Sequence, residues 1–263
     1  MRTALRVALQ APWLRDPLWT LARSVPSLDL RMEDALLRDS VSGQRLITFT
    51  RASPGTYIGS DGLIKTARTN LLLRSEEFDN ASCTKGANTT VTANYAVAPN
   101  GTTTADRVEM PNTSGTFVNG SATVVSGLTY TFSVYARATA ATSPFEIELG
   151  TNTALYVLTA QWQRYSLSFT ATGSSLTAVL GNGNNAVDFL AWGAQLEQST
   201  TVGEYIPTTS TINSAPRFDH DPTTGESLGL LVEEQRTNLL LRSEDFSTTW
   251  VRFNVNASSN AIL

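Results

Sequence analysis

Residues 84–212 set the tightest limit on the fold. Short runs rich in Val, Thr, Tyr, Phe and Leu follow one another there, separated by clusters of Gly, Asn, Ser and Pro: TVTANYAV, ADRVEM, GTFVNG, ATVVSG, LTYTFSVYARA, FEIELG, ALYVLTA, QRYSLSFTA, LTAVLG and AVDFLAWGAQLE. β-Branched and aromatic residues suit a pleated, half-buried surface. In LTYTFSVYARA the residues Leu128, Tyr130, Phe132, Val134 and Ala136 share one face, and Thr129, Thr131, Ser133 and Tyr135 share the other. That period of two belongs to a strand with one side in a core. Many such strands, spaced roughly ten residues apart, predict an antiparallel β-sandwich or jelly roll.

The flanks read differently. Leu28, Leu30 and Met32 alternate with Asp29 and Arg31, and Leu46, Thr48 and Thr50 alternate with Ile47, Phe49 and Arg51, so both stretches predict strands, with a turn at Ser42-Gly43 between Val41 and Leu46. Tyr57-Ile58, a Gly59-Ser60-Asp61-Gly62 turn and Leu63-Ile64 predict a hairpin. Phe218-Asp219-His220, the turn Pro222-Thr223-Thr224-Gly225 and Ser227 to Val232 predict another. Residues 1–27 are the only strongly helix-like part. Asp16 can cap a helix that Pro17 starts, and Leu18, Trp19, Leu21 and Ala22 form its apolar stripe. The short segment can bury Trp13 and Trp19 on its own domain or on a partner, whose interface would favour aromatic and Arg residues.

One phrase occurs twice, as RTNLLLRSEEF at 68–78 and RTNLLLRSEDF at 236–246. Its expected role is structural. Asn70 and Asn238 bond local backbone and turn the chain, the leucine triplets enter a core, and Arg74 and Arg242 pair with Glu76 and Glu244 or with a neighbouring chain. The second copy predicts the start of a further repeat. Its leucines need cover from a neighbouring chain, from the chain's own sheet, or from residues beyond 263.

Composition narrows the chemistry. The formal net charge is −4, and a general nucleic-acid binder would carry a basic face instead. No run of 18 apolar residues occurs, so membrane insertion by a helix is not expected. The opening apolar stretch is broken by Arg6, Gln10, Pro12, Arg15 and Asp16, and reads as mature protein rather than signal peptide. Cys83 is the single cysteine, so no intrachain disulfide forms. His220 is the only imidazole that a catalytic triad could use as base, and in the turn-rich Phe-Asp-His-Asp-Pro it reads as a hydrogen-bonding turn residue instead. Glu146 and Glu148 share a strand face, but a solvated strand edge explains them as well as a glycosidase pair does. No enzyme activity is expected. Asp219, Asp221 and Glu226 could supply the oxygen ligands of a Ca²⁺ ion; otherwise no cofactor is expected.

Four stretches carry a resemblance: LITFTRASPGTYIGSDGLIKTA (46–67), PRFDHDPTTGESLGLLVEEQRTNLLLRSEDF (216–246), WGAQLEQSTTVGEYIPT (192–208) and AQWQRYSLSFTATG (160–173). Together they resemble phage virion proteins of the tail-fibre or spike type that carry jelly rolls like those of carbohydrate-binding modules. The resemblance implies a particle-surface protein on head or tail, without catalytic residues and sometimes with a structural Ca²⁺. It implies a homo-oligomer, with a trimer expected. Residues 1–27 would attach it to other virion proteins, and the jelly roll would meet host surface glycan. In related sequences the two hairpins follow each other directly, so a discontinuous domain is expected from 28–66 and 213–235. A jelly roll spanning 67–212 is inserted in it, and 236–263 begin a further repeat or assembly tail.

The fold class expected is therefore mainly β: an antiparallel jelly-roll β-sandwich inserted in a small β-hairpin domain, with a short helical N-terminal segment. Glycan binding needs an aromatic platform and polar groups for hydroxyls. The candidates are Trp162, Trp192, Tyr135 and Tyr156, with Tyr95 beside them. Trp162 and Trp192 equally suit positions between the sheets. The alternative function is a purely architectural spacer or decoration protein with no ligand.

Overall fold

The structure is a computed structural model that describes residues 47–113, 117–139, 144–183 and 185–233, together with Leu37 and Leu239. The expected N-terminal helix, the strand at 28–32 and all but one residue of the second RTNLLLRSEDF lie outside the described residues.

All regular structure among the described residues is strand. The hairpin β1 (Thr56–Ile58) and β2 (Ile64–Thr66) comes first, followed by the short β3 (Thr69–Asn70) and β4 (Thr84–Lys85). The long strands are β5 (Thr90–Ala96), β6 (Ala105–Met110), β7 (Phe117–Thr123), β8 (Thr129–Ala138), β9 (Pro144–Leu149), β10 (Asn152–Val157), β11 (Gln163–Thr170), β12 (Ser175–Gly181) and β13 (Val187–Glu197). Next come β14 (Asn213–Ser214) and the hairpin β15 (Phe218–His220) with β16 (Ser227–Leu230).

Two five-stranded antiparallel sheets form the jelly-roll sandwich, in the orders β10-β9-β12-β7-β4 and β11-β8-β13-β6-β5. The core lies between them. Tyr130, Phe132, Val134 and Ala136 of β8 face Phe145, Ile147 and Leu149 of β9 and Leu176, Ala178 and Leu180 of β12 within one buried cluster. The alternation in the sequence thus places its apolar face inward as expected. GTFVNG and ATVVSG do not form two strands. β7 runs straight through Asn119-Gly120, paired with β12 there, and a side chain at Gly120 would stand 3.3 Å from Cδ2 of Leu72. The glycine there admits the leucine rather than making a turn. The strand expected at 46–50 does not form over the described Ile47 to Thr50, and the amide of Arg51 donates to the side chain of Asn213.

Two contacts join sequence-distant parts. Thr69 and Asn70 in β3 pair with Ser214 and Asn213 in β14, so the two ends of the sandwich segment lie side by side. The two hairpins also meet. The Ile58 amide donates to Asp219 Oδ1 at 2.7 Å, Arg217 donates to the Thr56 carbonyl at 2.9 Å, and His220 Nδ1 lies 3.0 Å from the Ile58 carbonyl.

The first RTNLLLRSEEF crosses from this junction into the sandwich. Asn70 is fully buried and uses both ends of its amide. Its nitrogen donates to the carbonyls of Ala194 and Ile206, and its oxygen accepts from the amides of Leu72 and Leu196. Leu72 enters the core, Leu71 packs at its margin and Leu73 stays exposed, so only part of the triplet is inside. Arg74 pairs with Glu77 rather than Glu76. The following loop closes on Lys85, whose ammonium donates to the carbonyls of Phe78, Asp79, Asn80 and Cys83 at 2.9–3.4 Å.

Candidate functional site

The outer face of the β11-β8-β13-β6-β5 sheet carries Tyr95, Tyr135, Trp162 and Trp192 together with Arg107, Arg137 and Arg164. It is built in two parts.

One end is covered. β13 carries an irregularity between Trp192 and Gln195, where Gly193 adopts φ 66°. A bulge of this kind sharpens the twist and re-aims neighbouring side chains. A side chain at Gly193 would come within 3.3 Å of both Tyr135 and Tyr205. Past the bulge, Gln195 and Glu197 turn outward and hold the returning segment. Gln195 accepts from the Ile206 amide and donates to the Glu204 carbonyl. Glu197 accepts from the Gly203 amide and pairs with Arg68 at 2.8 Å. Arg164 donates to the Gly203 carbonyl and to Ser133 Oγ, and Thr131 donates to the Ser199 carbonyl. Beneath this cover Trp192 is 4% exposed. It packs on Tyr205 at 4.6 Å and Tyr135 at 5.5 Å, and its indole N–H donates to Thr104. Burial and the adjoining Glu76 carboxylate push the Tyr205 phenol well above its usual range.

The other end is open. Leu190 of β13 is flanked across the sheet by Arg107 of β6 and Arg137 of β8. Their Cα atoms are therefore about two strand spacings, roughly 10 Å, apart. Arg107 makes a fork to Asp188, with Nε to Oδ1 at 2.9 Å and Nη2 to Oδ2 at 2.6 Å, and reaches Glu109 at 3.0 Å. The Arg107 hydrogen bonds hold the Asp188 carboxyl below the usual carboxylate range. Tyr95 is 53% exposed, with the Arg107 guanidinium 5.3 Å from its ring centre. On the far side Trp162 is fixed by its indole N–H, which donates to the Val97 carbonyl at 3.2 Å. The Arg137 guanidinium lies 5.4 Å from the Trp162 ring centre. Each arginine thus sits against one aromatic ring, an attractive arrangement for a cation.

Of the four sugar-binding candidates, the structure brings Trp162, Trp192 and Tyr135 to this one face and leaves Tyr156 elsewhere. Neither tryptophan lies between the sheets: both belong to a second, smaller cluster on the outer face. Trp192 is closed off by its cover, and Tyr135 is half-buried against it with Arg164 5.2 Å away. Tyr156 belongs to the other sheet, packs on Tyr165 at 4.9 Å and donates its hydroxyl to the Ser166 carbonyl. Sequence reasoning missed Arg107, Arg137, Leu190 and Tyr205. A signal existed for the arginines: residues 84–212 hold only four basic residues, Lys85, Arg107, Arg137 and Arg164.

Asp219, Asp221 and Glu226 are not gathered as a Ca²⁺ site, and no cluster of three or more potential ligands of this kind occurs among the described residues. Asp219 is engaged by the Ile58 amide. Asp221 accepts from the amides of Thr223 and Thr224, which lower its carboxyl below the usual range, and Glu226 is exposed. Asp221 thus holds the backbone of its own turn, and Asp219 ties this hairpin to the first one. Glu146 and Glu148 stand on the outer face of the opposite sheet, where burial and the adjacent Glu146 raise the Glu148 carboxyl.

No protein-family model matches the chain, and no curated protein matches it. Among solved structures, the chain is similar to the CBM22-1 xylan-binding domain of Paenibacillus barcinonensis Xyn10C, with 15% identity over 56% of this chain and 100% of that one, at a TM-score of 0.39. The CBM22-1–GH10 modules of Clostridium thermocellum xylanase 10B show 14% identity over 54% of this chain at a TM-score of 0.36; the chain spans 30% of that structure. Tailspike protein 4 of bacteriophage CBA120 shows 16% identity over 48% of this chain and 21% of its own, at a TM-score of 0.36.

Proposed function

We propose that this chain is a non-catalytic virion structural protein of a phage, a tail fibre or a head or tail spike, whose jelly roll binds host surface glycan. The observation that carries the binding part is the open end of the outer face. Two accessible aromatic residues, Tyr95 and Trp162, flank a row of polar and charged groups on a rigid sheet. Sugars offer C–H faces to aromatic rings and hydroxyls to charged and amide groups, and a sheet holds those partners in place. The virion part rests on the four resembling stretches of sequence. The block 67–212 reads as a module set between two hairpins, since its ends meet in the β3–β14 ladder. Copies of the chain on one particle would add weak contacts into firm attachment, because each further contact is made at high effective concentration.

A glycan array probed with the full chain tests the binding part. Wild type should bind a restricted set of oligosaccharides, and Tyr95→Ala and Trp162→Ala should each weaken that binding at least tenfold. A chain that binds no glycan on a broad array favours the architectural spacer instead.

A further inference from the structure

We propose that the ligand of the Tyr95–Trp162 face is an acidic glycan, and that Arg137 pairs with a carboxylate on one of its sugars. This rests on the glycan reading above and names its substrate class.

The argument compares side chains that the sheet itself puts in one row. Arg107 and Arg137 are the two cross-strand neighbours of Leu190. Arg107 is fully engaged: Asp188 takes its fork and Glu109 a further contact. Arg137 has no such acid. Its guanidinium makes no hydrogen bond and no ion pair among the described residues, and its one contact of this kind is the ring of Trp162. The other basic residues of 84–212 are all tied down. Lys85 is wrapped in four carbonyls, and Arg164 holds Gly203 and Ser133. Arg137 alone among them keeps its hydrogen-bonding fork for something else.

Its setting suits an anion. Arg137 is half-buried and backed by the indole, while Leu190 beneath is 2% exposed. A guanidinium on an apolar floor interacts more strongly with an incoming charge than one in bulk water. The fork matches the two oxygens of a carboxylate, and the same row already shows that geometry in the Arg107–Asp188 pair. The neighbouring carboxylates of Asp188 and Glu109 disfavour a dense run of negative charge. The site therefore fits an isolated acidic sugar in an otherwise neutral chain rather than a heavily sulfated polymer. Tyr95 and Trp162 would take the C–H faces of adjoining sugars, with Arg137 setting register.

The test uses the full chain and an array on which acidic capsular oligosaccharides are printed beside their carboxyl-reduced forms, with heparin as a dense polyanion. Wild type should bind the acidic member of a pair at least tenfold more tightly, a preference that added NaCl erodes. Arg137→Gln should remove the preference, weakening binding of the acidic member at least tenfold more than binding of its reduced partner, and Arg137→Lys should keep part of it. An unchanged melting temperature shows that the variants fold. Equal binding of acidic and reduced partners by wild type, or a preference that survives Arg137→Gln, overturns the carboxylate assignment and leaves the glycan reading standing. Heparin bound as tightly as the paired glycans, with no dependence on Trp162, also overturns it. Failure to bind either member of every pair overturns both readings.

Discussion

The two outer faces of the sandwich are finished in opposite ways. The face of β10-β9-β12-β7-β4 carries Glu146, Glu148, Thr177 and Val179, with Leu155 and Val157 64% and 63% exposed. No returning segment is stitched to it among the described residues. The face of β11-β8-β13-β6-β5 is roofed at one end by 199–208 and left open at the other, where Arg107 and Arg137 flank Leu190 and each lies against an aromatic ring. Roofing half a face orders the remaining half: the bulge, Gln195, Glu197 and Asn70 fix β13, and β13 fixes the row through Leu190. Binding sites gain from that kind of preorganisation, since fewer side chains have to be ordered when the ligand arrives.

Substitutions in the two regions should therefore differ in size. The largest effect is expected at Asn70. Asn70→Ala strands two carbonyls and two amides in a buried place, and should cost about 3–5 kcal/mol in chemical denaturation. A loss under ~1 kcal/mol would mean that the roof does not depend on this stitch. Gly193→Ala comes next, at about 1–3 kcal/mol, because it combines a left-handed backbone with close approach to Tyr135 and Tyr205. Lys85→Met should cost roughly 2 kcal/mol by leaving four carbonyls without their shared donor. At the small end, Leu155→Thr on the open face should stay within about 0.5 kcal/mol of wild type and leave glycan binding unchanged.

Acidity sharpens the contrast further. Asp106 is buried under the first motif, where burial pushes its carboxyl up to about 6, against the amides of Asn94 and Phe78, which favour the charged form. Its folded-state pKa thus lies above the unfolded value near 4. The folded protein holds this proton more tightly than the unfolded chain does, so stability from this group is greatest below about pH 4. It falls as pH rises to about 6 and is level beyond. The stability difference between wild type and Asp106→Asn, followed by denaturation across pH 4–7, should decline over that window and then flatten. A difference that rises with pH would contradict the burial of a raised carboxyl.

How much of this could be read from the residues alone differs between the same two regions. β5, β6, β8 and β11 were legible because apolar and polar side chains alternate along them, and the two hairpins because Gly62 and Gly225 mark their turns. The roof was not legible. Residues 199–208 have no period, and the bonds that hold them reach back to Asn70 and across to Gln195 and Glu197, so no local pattern announces them. The same cause misplaced Trp192: its strand position suits a sheet interior, but the bulge at Gly193 and the roof give it a second core outside. Asp219, Asp221 and Glu226 suggested metal ligands by their oxygen-donor type, without the dense acidic spacing of a calcium loop. Their oxygens instead serve backbone amides or solvent, a competition that composition does not reveal. Arg74 chose Glu77 over Glu76 because the chain turns left-handed at Arg74 itself.

The central claim is that the open end of the roofed face receives the ligand. Backbone amide shifts of the full chain, recorded by NMR with and without a bound oligosaccharide from the array, test it most directly. Shifts confined to residues 92–97, 107, 137, 162 and 188–190 are predicted, with 146–157 silent. Changes centred on Leu155 and Val157 instead, with the arginine row unmoved, would place binding on the wrong side of the sandwich for this account.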